Sequence, residues 1–341
     1  MAASRTGTVR CSAMADVLCT LALPDPFPAC ISAVATLRVL GRVPTASELC
    51  QELASRPADV LCPQLADSIS AEVLDAGMPR LRGVCVYAVG HNNVDVAAAT
   101  QRGIAVGNTP GVLTAATADL AIALLLAASR RIVEGDAAVR AGEFRGWAPD
   151  YMLGLDLQGA QLGIVGFGRI GEAVARRALA FGMRIGTVRH GAAGVPPDLA
   201  SSVQIFDSLE ALLAASDAVS LHTPLTERTW HLIDEAALRR MKPTAVLVNT
   251  ARGAVVDEEA LVRALREGWI AGCGLDVYED EPRLAPGLAG CRNAVLSPHL
   301  GSATVRTRRA MAALTADNAL GVLAGGLPPH CVNPEVGERP R

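Results

Sequence analysis

Residues 161–171 read QLGIVGFGRIG: an apolar run, Leu162–Val165, feeds into Gly166-Phe167-Gly168-Arg169-Ile170-Gly171, and EAVARRALAFGM follows at once. The run has the length of a buried strand, and the segment behind it has helical spacing. In that setting each glycine has its own reason. The first permits a tight turn, the second lets a pyrophosphate approach the backbone, and the third lets the helix pack on the strand. The helix N-terminus then faces the anion. With a further strand read at Met183–Val188, the pattern predicts a dinucleotide-binding βαβ unit.

Working toward the C-terminus, strands are read at Ala218–Leu221, Ala245–Asn249, Gly272–Asp276 and Ala294–Leu296, with helices at Leu209–Ala215, Glu235–Met241 and Glu258–Glu267. Six strands separated by helices make a complete doubly wound sheet. Toward the N-terminus the same alternation appears. Strands are read at Val17–Leu23, Val60–Cys62, Gly83–Ala88 and Ile104–Val106, with helices at Thr45–Ala54, Ile69–Ala76 and Val94–Arg102. Between the two series lie Asn108-Thr109-Pro110-Gly111, a long apolar helical stretch from Leu113 to about Gly142, and a loop over Phe144–Gly154. A last helix, Val305–Leu323, has no following strand and is expected to return to the first domain. The expected architecture is α/β, two doubly wound parallel-sheet (Rossmann/flavodoxin-like) domains with a cleft between them. Residues 14–107 plus 302–335 would form the substrate domain, 108–301 the dinucleotide domain with dimerisation helices, and 1–13 a disordered tail.

Composition narrows the function. The 341 residues suit about two domains; half of them are hydrophobic but only 3% aromatic, so the core must be built from Ala, Val, Leu and Ile. A net charge of −3 points to neither nucleic acid nor a membrane surface. Ala115–Ala128, interrupted by Asp119, is too short for a bilayer span of about 20 residues. Nine scattered cysteines without a C-x-x-C pair read as small buried hydrophobes in a reducing compartment, with no metal site. Lys242 is the only lysine, so any lysine chemistry would rest on it alone. The cytoplasm is the expected location. Residues 1–13, with two arginines and no acid, leave organelle targeting as the alternative.

Cofactor choice turns on the end of the strand Met183–Val188. An acid about twenty residues beyond the glycines would hold the ribose 2′-hydroxyl of NAD. Eighteen residues past Gly171 stands Arg189, with His190 beside it. A guanidinium fork matches a 2′-phosphate, so NADP is expected ahead of NAD.

Three residues stand just past strand ends, where open parallel sheets bind ligands: Arg252 in VNTARGAVVDEEAL, Glu281 in GLDVYEDEP and His299 in VLSPHLG. They match the needs of 2-oxo acid reduction: a cation for the carboxylate, an acid for the ketone oxygen, and a carboxylate to orient that acid. Each alone also fits a plainer role, a histidine after Ser-Pro as structure and Glu281 as a cap or surface charge.

From Ala58 to His299 the chain resembles the D-isomer-specific 2-hydroxyacid dehydrogenase family, and within it the glyoxylate and hydroxypyruvate reductases. The resemblance runs through YAVGHNNVDVAAATQRGIAVGNTPGVLTAATADLAIALLLAASRR, GWAPDYMLG, GIVGFGRIG, LHTPLT, VNTARG, AGCGLDVYEDEP and SPHLG. It implies that His299 is the acid–base group, Glu281 its carboxylate partner and Arg252 the carboxylate ligand. It further implies Asp276 as holder of the nicotinamide carboxamide, and Pro224, Thr250, Ala251 and Gly301 as residues lining the cofactor. Backbone amides at Val89 and Gly90 would grip the substrate. Trp147 is similar to a tryptophan that reaches a neighbouring subunit's pocket, the alternative being simple interface packing, and a homodimer is implied. Two rival functions keep the same residues: reduction of a different 2-oxo acid, and a dinucleotide-sensing binding protein like the corepressors of this fold. The near-neutral composition argues against the second.

Overall fold

The computed structural model describes residues 14–188 and 194–338. The chain divides into two compact units, one made of the residues up to Pro110 with those from Arg308 onward, the other Gly111–Thr307.

In the first unit β1 (Ala15–Cys19), α1 (Phe27–Ser32), β2 (Ala35–Val39), α2 (Ala46–Ser55), β3 (Val60–Cys62), α3 (Ala71–Gly77), β4 (Gly83–Cys85), α4 (Val96–Gln101) and β5 (Ala105–Gly107) follow one another. The strands form one sheet in the order β2-β1-β3-β4-β5, every pair parallel. α2 shows why the helices start where they do. Thr45 accepts a bond from the Glu48 N–H while the Glu48 carboxylate accepts from the Thr45 N–H, a complete capping box.

The second unit begins with α5 (Thr114–Ser129) and α6 (Ile132–Arg140). It then runs β6 (Gln161–Val165), α7 (Arg169–Ala180), β7 (Arg184–Val188), β8 (Val203–Phe206), α8 (Leu209–Ala215), β9 (Ala218–Leu221), α9 (Glu235–Arg240), β10 (Val246–Asn249), α10 (Glu258–Glu267), β11 (Gly272–Leu275) and β12 (Ala294–Leu296). Its parallel sheet has the order β12-β11-β10-β9-β6-β7-β8, so the direction of winding reverses between β6 and β9. Both faces are covered, as a parallel sheet requires. Ile122, Leu125, Ile164, Val174 and Val248 fill one side, and Leu212, Leu221, Leu238, Leu261 and Leu275 the other. α10 carries a full set of end signals. Asp257 caps its first turn, Glu258 and Glu259 meet the positive end, and Gly268 closes it in the left-handed conformation. α11 (Val305–Leu323) follows, and Val322 fills the space over Gly83 of β4.

Two edge strands escape the sequence pattern. β2 reads ATLRV, with Arg38 paired to Asp16 and Glu52 at its side, and β8 reads VQIF with two exposed positions. An edge strand is half-covered, so it lacks the continuous apolar run that marks a central one. The second sheet therefore has seven strands where six were expected. Val17–Leu23 and Gly83–Ala88 were read too long for a related reason: Thr20 and Val86–Ala88 stay buried after the ladder has ended. Among the described residues no helix is long and apolar enough to cross a membrane.

The eight described cysteines are free thiols. Cys19 and Cys62 are register partners on β1 and β3, and hydrogen bonds with the Cys19 and Cys85 thiols, together with burial, push the Cys62 thiol well above its ordinary value. Burial likewise pushes Cys273 up. A thiol that resists ionisation is a poor nucleophile. Cys62 and Cys273 should therefore stay unmodified by a disulfide reagent in the native protein at pH 8, and react once guanidinium unfolds it. Rapid native labelling of either, mapped by peptide mass, would contradict this packing.

Candidate active site

The glycine loop sits at the point where the second sheet reverses its winding. Gly166, at φ +95°, turns the chain out of β6, and a Cβ there would lie 2.6 Å from the His222 carbonyl carbon. Gly171 is closed off differently, since a Cβ would overlap the Gly166 carbonyl oxygen. Gly168, at the head of α7, has nothing within 4 Å of the Cβ position. The first and third glycines are thus required by the fold itself, and the second is left open toward solvent, where an anion meets the helix N-terminus. Phe167 and Ile170 are half-buried and Arg169 is exposed beside it.

Two buried polar atoms flank this loop without a hydrogen-bond partner, His222 Nδ1 and Thr250 Oγ1. They follow Leu221 and Asn249, which are register partners on β9 and β10. The His222 ring is fixed by Ser220 Oγ, 2.8 Å from Nε2, and desolvation lowers it to about 3, so it is neutral at any physiological pH. Unpaired buried polar atoms are expensive unless a ligand or water meets them. Together with the open Gly168 they fit a dinucleotide lying along these strand ends. His222 is the residue that sequence reading did not single out, although LHTPLT contains it. Pro224 holds the next turn, its carbonyl accepting from Thr229 Oγ1 at 2.7 Å. Arg189 and His190, proposed to choose between NADP and NAD, lie outside the described residues, as do residues 1–13.

Arg252, Glu281 and His299 all belong to the second unit and follow the ends of β10, β11 and β12. Asn249 ties down the first of these loops, donating to the Arg252 carbonyl at 2.9 Å and accepting from the Ala251 N–H at 3.0 Å. Gly253 is obligatory there, because a Cβ would overlap the Tyr278 carbonyl carbon of the loop after β11. Burial pulls Arg252 below the ordinary arginine value, against the opposing charge of Glu281, yet a guanidinium stays a cation.

His299 Nδ1 lies 2.9 Å from Glu281 Oε2, and Glu281 Oε1 accepts the Tyr278 N–H at 3.0 Å. Burial raises Glu281, but the His299 bond and charge, the Tyr278 N–H and the Arg252 charge outweigh it, leaving the carboxyl below its usual range. The sign follows: a lowered carboxyl stabilises this pairing above its ordinary pKa, and the benefit is lost as pH falls through the lowered value.

Asp276 is 1% exposed and does more than the sequence indicates. Its carboxylate accepts from Ser297 Oγ at 2.5 Å, Leu300 N–H at 2.6 Å and Gly301 N–H at 2.8 Å, and its carbonyl accepts the His299 N–H at 3.0 Å. His299 is held at φ +53° inside that ring of bonds. Tyr278, whose hydroxyl donates to the Ser297 carbonyl at 2.9 Å, is pushed to about 12, by burial first and by Asp276 and its neighbours after.

Val89 and Gly90 lie in the first unit, half-buried past β4, with the Val89 carbonyl held by Asn108 Nδ2 at 2.8 Å. Trp147 is 86% exposed in the second unit, in company with exposed Phe144, Val139 and Leu153.

A doubly wound sheet of this order, with a glycine loop at its reversal point and a histidine–carboxylate–arginine group beyond its strand ends, defines a nicotinamide-dependent oxidoreductase. Residues 122–301 match the family model for the D-isomer specific 2-hydroxyacid dehydrogenase, NAD binding domain. The chain is 53% identical over 288 residues to a glyoxylate reductase of Korarchaeum cryptofilum, covering 82% of this chain and 84% of that one. Among solved structures, a Thermus thermophilus protein superimposes with TM-score 0.83 at 47% identity, covering 93% of this chain and 99% of the other. A Sinorhizobium meliloti NADPH-dependent glyoxylate/hydroxypyruvate reductase, solved with NADP and malonate, gives TM-score 0.84 at 32% identity over 96% and 99%. The chain belongs to the D-isomer-specific 2-hydroxyacid dehydrogenase family.

The glycines give a paired test. Gly168→Ala adds a methyl where nothing stands within 4 Å, so the melting temperature should change by no more than about 2 °C while dinucleotide affinity, by calorimetry, falls at least ~10-fold. Gly171→Ala should lower the melting temperature by several degrees, since backbone must move. Equal affinity loss with equal stability loss in both would remove the distinction.

Glu281→Gln tests the pairing. Without the carboxylate the imidazolium loses its counter-charge, so the high-pH limb of 2-oxo acid reduction should move to lower pH. A superimposable pH profile would exclude Glu281 as the partner of His299.

Proposed function

We propose that this enzyme reduces small 2-oxo acids, glyoxylate and hydroxypyruvate, to glycolate and D-glycerate, with NADPH preferred and NADH as the second donor. The observation that carries the reading is the His299–Glu281 bond of 2.9 Å between the loops after β11 and β12, with the Arg252 charge, from the loop after β10, acting on the same carboxylate. Arg252 holds the substrate carboxylate through its planar fork. His299 gives its Nε2 proton to the ketone oxygen, and Glu281 stabilises the imidazolium until it does. A reduced nicotinamide supplies the hydride when bound. Gly166, Gly168, Gly171, Thr250, Ala251, Pro224 and Gly301 line its site in this reading, and Asp276 offers a remaining lone pair to the carboxamide. The name of the Korarchaeum relative supports glyoxylate as substrate, and that of the Sinorhizobium neighbour supports hydroxypyruvate and NADPH.

The cofactor preference rests on Arg189 and His190. A charge-assisted contact to the 2′-phosphate is worth about 1.5–3 kcal/mol, roughly ten- to a hundred-fold. We also propose a homodimer, with exposed Phe144, Trp147 and Leu153 in its interface, because such side chains are rarely left to water together.

Steady-state kinetics of both acids with NADPH and NADH test the whole reading. Turnover above ~1 s⁻¹ is expected, with kcat/KM for NADPH at least ~10-fold above NADH and the preference reversed in Arg189→Asp. His299→Gln should lower kcat by at least ~10²-fold with dinucleotide affinity kept. A fully active His299→Gln enzyme would sink the acid–base assignment, and equal use of the two cofactors would sink the role of Arg189.

A further inference from the structure

The chain leaving β9 carries His231, which forms with Glu279 of the loop after β11 a second histidine–carboxylate pair that the reaction does not use. His231 Nε2 lies 2.8 Å from Glu279 Oε1, both side chains half-buried. The Trp230 ring stacks on the imidazole, centroids 4.5 Å apart and 20° between planes. His231 is held in the left-handed region at φ +47°, a conformation a non-glycine residue adopts only where its surroundings enforce it. Its own N–H donates to the Ala254 carbonyl at 2.8 Å. One residue therefore reaches two other loops, through its backbone to the loop after β10 and through its ring to the loop after β11.

The far side of Glu279 is secured as well. Its N–H donates to Glu258 Oε1 at 2.7 Å, and the other Glu258 oxygen accepts the Ala285 N–H at 3.3 Å. Glu258 is 3% exposed at the start of α10. Gly253 closes the remaining side by direct contact with Tyr278 and Glu279. The sequence places Arg252 two residues before Ala254, and Glu281 two residues after Glu279. What fixes Ala254 against Glu279 fixes the substrate cation against the partner of the acid.

We propose that His231 and Glu279 are positioning residues for the reaction, a brace that sets the loop carrying Glu281 at its working distance from the loop carrying Arg252. The proposal rests on the roles given above to Arg252, Glu281 and His299. Neither brace residue touches the reacting atoms. Their effect passes through Glu281, whose bond to His299 depends on where the 278–281 turn stands. The carboxyl groups facing one another there are Glu258, Glu279 and Glu281, and the groups set against them are the His231 and His299 rings and the Arg252 guanidinium. Losing one tie from such a set leaves the others to relax, and misplacement by about an ångström lowers turnover by up to ~10²-fold.

The test compares Glu279→Ala, Glu279→Asp and Glu279→Gln in the full chain with His299→Gln as reference. Measured are kcat and KM for glyoxylate, the pH profile of reduction, dinucleotide affinity by titration, and the melting temperature. Glu279→Ala and the shorter Glu279→Asp should lower kcat by ~10- to 100-fold and move the high-pH limb downward, with dinucleotide affinity within about threefold. Glu279→Gln, which can still accept from a neutral His231 ring, should recover most of the turnover. Should Glu279→Ala fail to fold, the aspartate variant, which keeps the charge and loses the reach, carries the same expectation. Parent-like kcat and pH profile in Glu279→Ala and Glu279→Asp, with His299→Gln inactive, would overturn the brace alone. Lost turnover with an unmoved pH limb and no recovery in Glu279→Gln would reduce the pair to a structural clamp and overturn it too. An active His299→Gln enzyme would overturn the site reading, and the brace with it.

Discussion

A carboxylate buried to 1% exposure has to be met by donors, and around Asp276 this requirement shapes the loop that carries His299. Ser297 Oγ and the Leu300 and Gly301 amides converge on it from a single segment, so the chain after β12 is wrapped around one charged group. Within that wrap the backbone at His299 is forced to φ +53°, where only a residue surrounded by fixed bonds persists. The strain and the buried charge are two sides of one arrangement. Asp276 needs the donors, and gathering them turns the imidazole toward Glu281.

The same logic extends across the neighbouring strands. A parallel sheet delivers every strand end to one edge, so the loops after β9, β10, β11 and β12 leave from adjacent positions. What such loops lack is a ladder to keep them in register. Here the register is supplied by individual contacts: the Asn249 side chain under Arg252, the bare backbone of Gly253 against Tyr278, and the Asp276 carboxylate inside the 297–301 segment. They decide where the chemical groups stand.

How much of this could be read from the sequence follows from the kind of signal each feature leaves. The central strands carry unbroken apolar runs and the glycine loop has fixed spacing, so the nucleotide unit and its dinucleotide site were legible. Arg252, Glu281 and His299 draw notice in the sequence because each sits past a strand end, and the structure brings Glu281 to His299. β2 and β8 were not, since an edge strand such as VQIF alternates too little over too few residues. The donors to Asp276 could not be foreseen either. Two of the three are backbone amides, which have no identity in a sequence, and the acid was read as a cofactor ligand alone. His222 was hidden for the opposite reason: a histidine in an apolar strand end looks like core until its unpaired nitrogen is seen. Arg189 and His190 remain a reading of sequence, beyond the described residues.

The three chemical groups are also not independent of one another. Glu281 is drawn below its usual range by His299 and Arg252 together, and the field of Glu281 in turn opposes the burial that pulls Arg252 down. Close by, Glu258 is pushed the other way, by burial above all and then by the charges of Glu279 and Glu281. One carboxylate thus interacts with His299 and Arg252 at once. Removing it would take from the half-buried His299 ring and the Arg252 guanidinium the one carboxylate that acts on both. Groups coupled in this way do not contribute additively. The cost of losing Glu281 belongs to the arrangement of all three, as does the advantage of holding its loop still.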